Sequence, residues 1–96
     1  MNIHEMLNEH ATGILNTVFI QKLRGVIAKW NEKTDTLQIT YYFDGEPSEE
    51  VIEEAAVATT DIIAPLPISF IEEKFLRIDY PQPLPNSEFW VFRREE

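Results

Sequence analysis

Apolar residues stand at every odd position from Leu37 to Phe43, and they alternate with Thr36, Gln38, Thr40 and Tyr42. A period of two places alternate side chains on opposite faces of a strand, so this stretch is predicted to be a β-strand with one buried face. Turn-forming residues precede it in the Asn-Glu-Lys-Thr-Asp sequence at 31–35, and residues 19–30 carry a second β-like pattern. The two stretches therefore predict an antiparallel hairpin.

A helix is predicted on each side of this hairpin. Four apolar residues of the first 18 lie in a narrow arc at about 100° per residue, which is typical of an amphipathic helix. They are Ile3, Leu7, Ile14 and Val18. The proline and acids around Pro47 favour a second helix, which is predicted from about Glu46 to Ala64 and ends at the Pro-Leu-Pro sequence that follows.

Two further strands complete the predicted fold. One runs from about Ile68 to Tyr80, and its charged centre at 72–74 favours an edge position or a bend. A proline-rich connector at 81–86 follows, and the last strand runs from Glu88 to Arg94. The order α-β-β-α-β-β predicts an α+β fold, with a four-stranded, mainly antiparallel sheet and both helices packed on one face.

The size of the chain fits one domain, residues 1–96. No cysteine is present, which excludes disulfides and thiolate sites and fits a reducing compartment. The first residues lack the basic and apolar regions of a secretory signal, and no apolar run is long enough to span a bilayer. We therefore expect a cytoplasmic protein that does not enter the membrane.

The negative charge of the chain is regional. The formal net charge is −9, and residues 34–73 hold ten acids without a single lysine or arginine. Nucleic acids and anionic membranes attract clustered basic residues, because these release the counterions of the phosphates. The charge therefore excludes direct binding of nucleic acid or of an anionic membrane, and it favours a basic partner.

No residue pattern indicates an enzyme or a cofactor site. The three glycines are isolated, no serine lies in a Gly-x-Ser-x-Gly sequence, and His4 and His10 are too far apart in phase to form a two-histidine metal face. Asp44, Glu46 and Glu50 match no calcium-binding loop. We expect no catalytic residue, no cofactor and no metal. One alternative to a binding protein is a metal-dependent carboxylate hydrolase. A rise in the thermal stability of the protein when a metal is added would support it.

The second predicted helix has two unlike sides. One side is apolar and is predicted to face the core; it contains Val51, Ala55, Ala58 and Ile62. The opposite side is acidic and consists of Glu46, Glu50, Glu53, Glu54, Val57 and Asp61. Like charges four residues apart destabilise a helix by roughly 0.2–0.5 kcal/mol per pair, and no basic residue relieves them here. Such a surface is either a solvated face that keeps the protein soluble, or a binding surface whose electric field steers a basic partner toward it.

Aromatic residues near this acidic side are candidate anchors for a partner. Tyr42, Trp90 and Phe92 have the opposite parity to the regular apolar positions of their strands, so this set is expected on the face away from the core. Charged surfaces need such anchors for affinity. The predicted partner-binding residues are Asp44, Glu46, Glu50, Glu53, Glu54, Val57, Asp61, Tyr42 and Trp90.

The sequence YYFDGEPSEE at 41–50, which runs into the acidic helix, resembles the immunity proteins of bacterial polymorphic toxin and contact-dependent growth inhibition systems. The resemblance implies a cytoplasmic antidote that binds one toxin domain, often a basic RNase or DNase, and blocks its active site. An acidic inhibitor would present to such a nuclease the charge that the nuclease binds in its substrate. The alternative is a small acidic adaptor or regulatory subunit that docks on a housekeeping enzyme.

Overall fold

The computed structural model describes residues 3–96, and the first two residues of the predicted first helix lie outside this range. The elements are helix α1 (Ile3–Thr17), strands β1 (Leu23–Asn31) and β2 (Thr36–Phe43), helix α2 (Glu49–Ile63), and strands β3 (Phe70–Arg77) and β4 (Trp90–Arg93). The predicted order α-β-β-α-β-β is confirmed. Neither helix of the described residues has the length and apolar character that crossing a membrane requires.

The four strands form one mixed sheet in the order β3-β2-β1-β4. β1 and β2 form the predicted antiparallel hairpin, from the pair Asn31 and Thr36 at the turn to the pair Leu23 and Phe43 at the far end. β4 pairs antiparallel with β1, whereas β3 pairs parallel with β2. The parallel pairing follows from α2, which returns the chain to the end of the sheet at which β2 begins. β3 therefore lies at an edge, as its charged centre predicts.

Both helices pack on the same face of the sheet. The odd-numbered side chains of β2 face them and are fully buried, together with Leu7, Ala11 and Leu15 of α1 and Val51, Ala55, Ala58 and Ile62 of α2. The hydroxyl groups of Tyr41 and Thr59 are hydrogen-bonded at 2.8 Å and join β2 to α2 inside this core. Burial raises the pKa of Tyr41 to about 12, so its hydroxyl keeps its proton at neutral pH.

Several element boundaries differ from the sequence-based prediction. α1 ends at Thr17, and Val18, which was predicted to lie in the core, is exposed. β1 begins at Leu23 instead of position 19. α2 begins at Glu49, because the hydroxyl of Ser48 accepts a hydrogen bond from the Val51 amide at 3.2 Å and caps the helix there. β3 and β4 are likewise shorter than predicted, at both ends.

The prediction that Phe92 shares a face with Trp90 is wrong. The register of β1 and β4 is irregular: Trp90 pairs with Ile27, whereas Phe92 pairs with the adjacent Val26. An irregularity of this kind reverses the parity of the residues beyond it. Phe92 is therefore partly buried against the core, while Trp90 lies on the face away from the helices.

The side chain of Arg24 is buried where β1 departs from regular pairing with β2. Only 2% of it is exposed. Its Nε and Nη2 atoms donate to the two carboxylate oxygens of Glu96, each at 2.7 Å, and its Nη1 donates to the carbonyl oxygen of Ile78 at 2.7 Å. Ile78 follows β3 and Glu96 follows β4, so one guanidinium group joins the chain segments that leave the two edges of the sheet.

Replacing Arg24 with alanine is expected to lower the free energy of unfolding by about 3–5 kcal/mol, because it leaves the Ile78 carbonyl without this donor and the Glu96 carboxylate with Arg94 alone. Arg93 is the matched control, since it is exposed and its guanidinium lies over the Trp90 ring at 4.9 Å. Arg93→Ala is expected to lose less than about 1 kcal/mol. Urea denaturation measures both values, and equal losses would contradict the structural role of Arg24.

Candidate partner-binding site

A cleft of about 380 Å³ lies between α2 and the segment that follows α1. We call it the acidic cleft. It is lined by Val18, Phe19, Ile20, Glu50, Glu53, Glu54, Val57, Ala58 and Asp61. The acidic side of α2 and a short loop thus meet at one surface.

The loop wall of the acidic cleft is fixed at both ends. The Val18 amide donates to the Ile14 carbonyl at 3.2 Å and closes the last turn of α1. The Leu23 amide donates to the Ile20 carbonyl at 3.2 Å, and the Ile20 side chain is buried in the core. With its two neighbours held in this way, Phe19 projects from the protein and is 86% exposed.

Three exposed apolar side chains line the acidic cleft. They are Phe19, Val57, which is 62% exposed, and Val18, which is 41% exposed. Burying one side chain of this size stabilises by roughly 1.5–3 kcal/mol, and folding of this chain gains little of that. A single exposed apolar residue is common, but three around one cleft form a patch that a partner can cover.

Four carboxylates surround this apolar patch. They belong to Glu50, Glu53, Glu54 and Asp61. α2 contains no lysine or arginine, and none of the ion pairs found within residues 3–96 involves these four side chains. The cleft therefore carries a negative charge that no direct ion pair within residues 3–96 offsets, and this charge attracts cationic groups.

Helix α2 is held firmly behind the cleft. Ser48 caps its first turn, and Thr59 is bonded to Tyr41 in the core. Near its C-terminal end, Nε2 of His10 is 2.9 Å from the Asp61 carbonyl oxygen and links α2 to α1. His10 is thus a hydrogen-bonded residue at the boundary of the core, which is the usual role of a single histidine in this position. Side chains on such a fixed element keep their spacing when a partner binds.

The structure brings together five of the nine predicted partner-binding residues. Glu50, Glu53, Glu54, Val57 and Asp61 all line the acidic cleft. Val18 and Phe19 were missed, because Val18 fits the apolar arc of α1 and Phe19 fits a strand pattern. The sequence does contain one signal for an exposed binding residue: Phe19 is an aromatic residue that lies between the end of the predicted helix and the start of regular strand structure.

Asp44 and Glu46 lie elsewhere, in a group of charges at the end of the sheet. Asp44 accepts hydrogen bonds from the Tyr80 amide at 3.1 Å and from Arg94 Nη2 at 3.5 Å. Glu46 precedes the cap of α2 and has only a long ion pair, 3.9 Å from Arg77. The predicted continuous acidic side therefore begins at Glu50, because Ser48 starts the helix after Glu46.

Tyr42 and Trp90 lie on the face of the sheet away from the helices. Their ring centroids are 5.7 Å apart, and Tyr42 is buried. Trp90 lies directly over Gly25, where an added Cβ atom would stand 2.6 Å from its ring. The two aromatic residues contact each other, and neither lines the acidic cleft.

The described residues offer no metal site. No group of three or more histidines, cysteines or carboxylates within residues 3–96 is placed to hold an ion. The carboxylate of Asp44, which a metal site at the end of β2 would need, is engaged by Tyr80 and Arg94.

A capped, carboxylate-lined helix beside three exposed apolar side chains forms a surface that attracts cationic groups and that a partner can cover. A family model described as MafI2 immunity protein matches residues 5–96, and the chain belongs to this family. A comparison with curated proteins gave no match. The family confirms the immunity-protein hypothesis and favours it over the adaptor alternative. The partner of an immunity protein is its cognate toxin.

The carboxylate of Glu96 is expected to make stability depend on pH. Hydrogen bonds from Arg24 and then Arg94 lower its pKa from 4.5 to about 2. Because the folded-state pKa lies below that of the unfolded chain, this stabilisation is complete above about pH 5 and is lost as the pH falls toward 2. Glu96→Gln is therefore expected to melt at a lower temperature than wild type at pH 7, and the difference should shrink between pH 5 and pH 2.

Glu95→Gln is the control for this measurement, since Glu95 is an exposed neighbour. Thermal melts of all three proteins across this pH range test the prediction. A difference between wild type and Glu96→Gln that stayed constant down to pH 2 would contradict it.

Proposed function

We propose that this protein neutralises a basic nuclease toxin domain by binding it through the acidic cleft and covering its substrate-binding surface. The observation that supports the proposal is the set of four carboxylates without ion-pair partners around Phe19, Val18 and Val57. In this proposal the protein acts by stoichiometric occupancy and is not an enzyme.

The charge of the cleft fits a nuclease better than other toxins. A nuclease binds phosphates with lysine and arginine, so its active surface is basic. An inhibitor with a carboxylate-lined cleft is attracted to that same surface, and the attraction accelerates association. Covering the surface then excludes the nucleic acid. We place this encounter in the cytoplasm, where the toxin of a polymorphic toxin or contact-dependent growth inhibition system would meet its substrate.

The apolar patch supplies binding energy that the charges alone do not provide. Exposed ion pairs contribute only about 0–1 kcal/mol each, because both partners are well solvated when apart. Most of the binding energy of an interface comes from a few buried anchors, which are often aromatic. Phe19 is the most exposed large apolar residue of the described chain and stands beside the carboxylates. We assign it the role of anchor, with Val18 and Val57 packed around the same contact.

The remaining predicted residues define a wider footprint. Asp44 and Glu46 lie at the end of the sheet, and Tyr42 and Trp90 lie on its other face. Their participation stays a prediction. A toxin that also contacted them would have to extend beyond the acidic cleft.

Reversing two charges of the cleft is expected to weaken toxin binding. Glu50→Lys/Glu54→Lys should lose about 10- to 100-fold in affinity at low salt, mainly through slower association, because the field that steers the toxin is reversed locally. Surface plasmon resonance with the cognate toxin domain measures the rates, and added salt should reduce the gap between variant and wild type.

The control has the same change in net charge at two other exposed positions. Glu32→Lys/Glu88→Lys changes residues that do not line the acidic cleft. It is expected to retain most of the affinity and to protect cells that express the toxin. Equal losses in both double variants would show that net charge matters and the cleft does not. Unchanged binding by Glu50→Lys/Glu54→Lys would contradict the proposal.

Removing the aromatic ring of Phe19 is expected to affect binding but not folding. Phe19→Ala should weaken toxin binding by about 30-fold, the equivalent of about 2 kcal/mol, mainly through faster dissociation. Its free energy of unfolding should change by less than about 0.5 kcal/mol, because the ring makes little contact in the folded chain. Phe70→Ala is the matched control, since Phe70 is also exposed but lies on β3. Similar affinities of the two variants would exclude Phe19 as the anchor.

A further inference from the structure

Strand β3 presents an open edge to solvent. It is the outermost strand on its side of the sheet, it is eight residues long, and it pairs with β2 in continuous register. The amides of Phe70 and Ile78 donate to carbonyl groups in or next to β2. Because backbone groups alternate in direction along a strand, those of Ile71, Glu73, Phe75 and Arg77 face the open side.

Folded proteins usually protect an edge of this length against pairing with another chain. Proline, a bulge or a covering segment are common devices. β3 contains no proline and its register with β2 has no bulge, so neither device protects it, and charged residues occupy its centre. Those charges lie between two exposed apolar residues, Phe70 at 64% and Leu76 at 43%.

The exposed face of β3 is complementary to itself. The side chains on the face away from the helices are, in order, Phe70, Glu72, Lys74 and Leu76. When a second copy runs antiparallel around Glu73, Phe70 of each copy lies opposite Leu76 of the other. Glu72 of each copy then lies opposite Lys74 of the other. Cross-strand pairs of these kinds stabilise a sheet.

We propose that a second copy of this chain pairs antiparallel with β3, centred on Glu73, to give a continuous eight-stranded sheet. Both copies must offer outward-facing backbone groups, so odd residues pair with odd residues. A centre at Glu72 would oppose two glutamates and place Phe70 against Lys74. A centre at Lys74 would oppose two lysines and place Glu72 against Leu76. The centre at Glu73 avoids all of these contacts on the exposed face.

One unfavourable contact remains on the other face of the sheet. The two Glu73 side chains lie opposite each other there, in a hydrogen-bonded pair whose Cα atoms are about 5.5 Å apart. A strand edge also covers less surface than the roughly 1,200–2,000 Å² of a stable complex. The dimer is therefore weak and dissociates on dilution. Removing the charge of Glu73 should strengthen it.

The second copy and the toxin use different surfaces. No residue of β3 lines the acidic cleft, so this inference does not rest on the proposed function. Loss of toxin binding in the Glu50→Lys/Glu54→Lys variant would leave the pairing of β3 unchanged.

Sedimentation equilibrium of the full chain over a wide concentration range tests the proposal. The mass of the wild-type protein should rise from 11.2 kDa toward twice that value. Lys74→Glu is expected to weaken the dimer about tenfold or more, because it opposes glutamates at two symmetric positions. Glu72→Lys/Lys74→Glu exchanges the charges and should restore dimerisation to near the wild-type level. Glu73→Gln should dimerise more tightly than wild type.

The double variant Glu72→Lys/Lys74→Glu distinguishes a specific strand register from a general effect of surface charge. Glu72 also accepts a hydrogen bond from Gln38 at 2.9 Å, so the single change at Lys74 is the cleaner disruption. Circular dichroism checks that each variant is folded. A wild-type protein that stayed monomeric up to about 1 mM, or a dimer insensitive to Lys74→Glu, would overturn the proposal. Failure of the double variant to recover would overturn the register. If the wild type is monomeric and Lys74→Glu reduces toxin binding, the proposal is overturned and the edge binds the toxin instead.

Discussion

The buried guanidinium of Arg24 sets the arrangement of the sheet. A charge inside a protein has to be paired and fully hydrogen-bonded, because removing it from water is costly. Glu96 and the Ile78 carbonyl meet that requirement from opposite edges of the sheet. Strands β3 and β4 must therefore both end at the end of the sheet at which Arg24 lies. Arg94 and Asp44 add a second layer of contacts there.

This use of arginine also explains the electrostatics of α2. Arg24, Arg77 and Arg94 form ion pairs with acids at the end of the sheet. These bases are engaged with their own neighbours and do not offset the carboxylates of α2. Three of the eight basic residues are therefore committed to the end of the sheet and leave the negative surface of α2 unpaired. The charges that hold the end of the sheet together are thus separated in space from the carboxylates of the proposed binding site.

Local patterns in the sequence predict the types of elements well and their ends poorly. The alternation from Leu37 to Phe43 predicts β2 and the hairpin, because period two has one structural meaning. The acidic side of α2 follows from its phase in the same way. The separation of Glu46 from that side depends on the cap at Ser48, and the parity of Phe92 depends on an irregular register. The burial of Arg24 depends on Glu96, which lies 72 residues away, so no local pattern predicts it.

The loop between α1 and β1 contributes one apolar side chain to the core and two apolar side chains to the surface. Ile20 holds the loop in place, whereas Val18 and Phe19 are exposed. The identity of the two exposed residues is thus largely free of folding constraints. In the binding mode that we propose, an antidote could follow changes in its toxin at these two positions, where substitutions cost the folded protein little. Under that proposal the chain can acquire new specificity and keep the same fold.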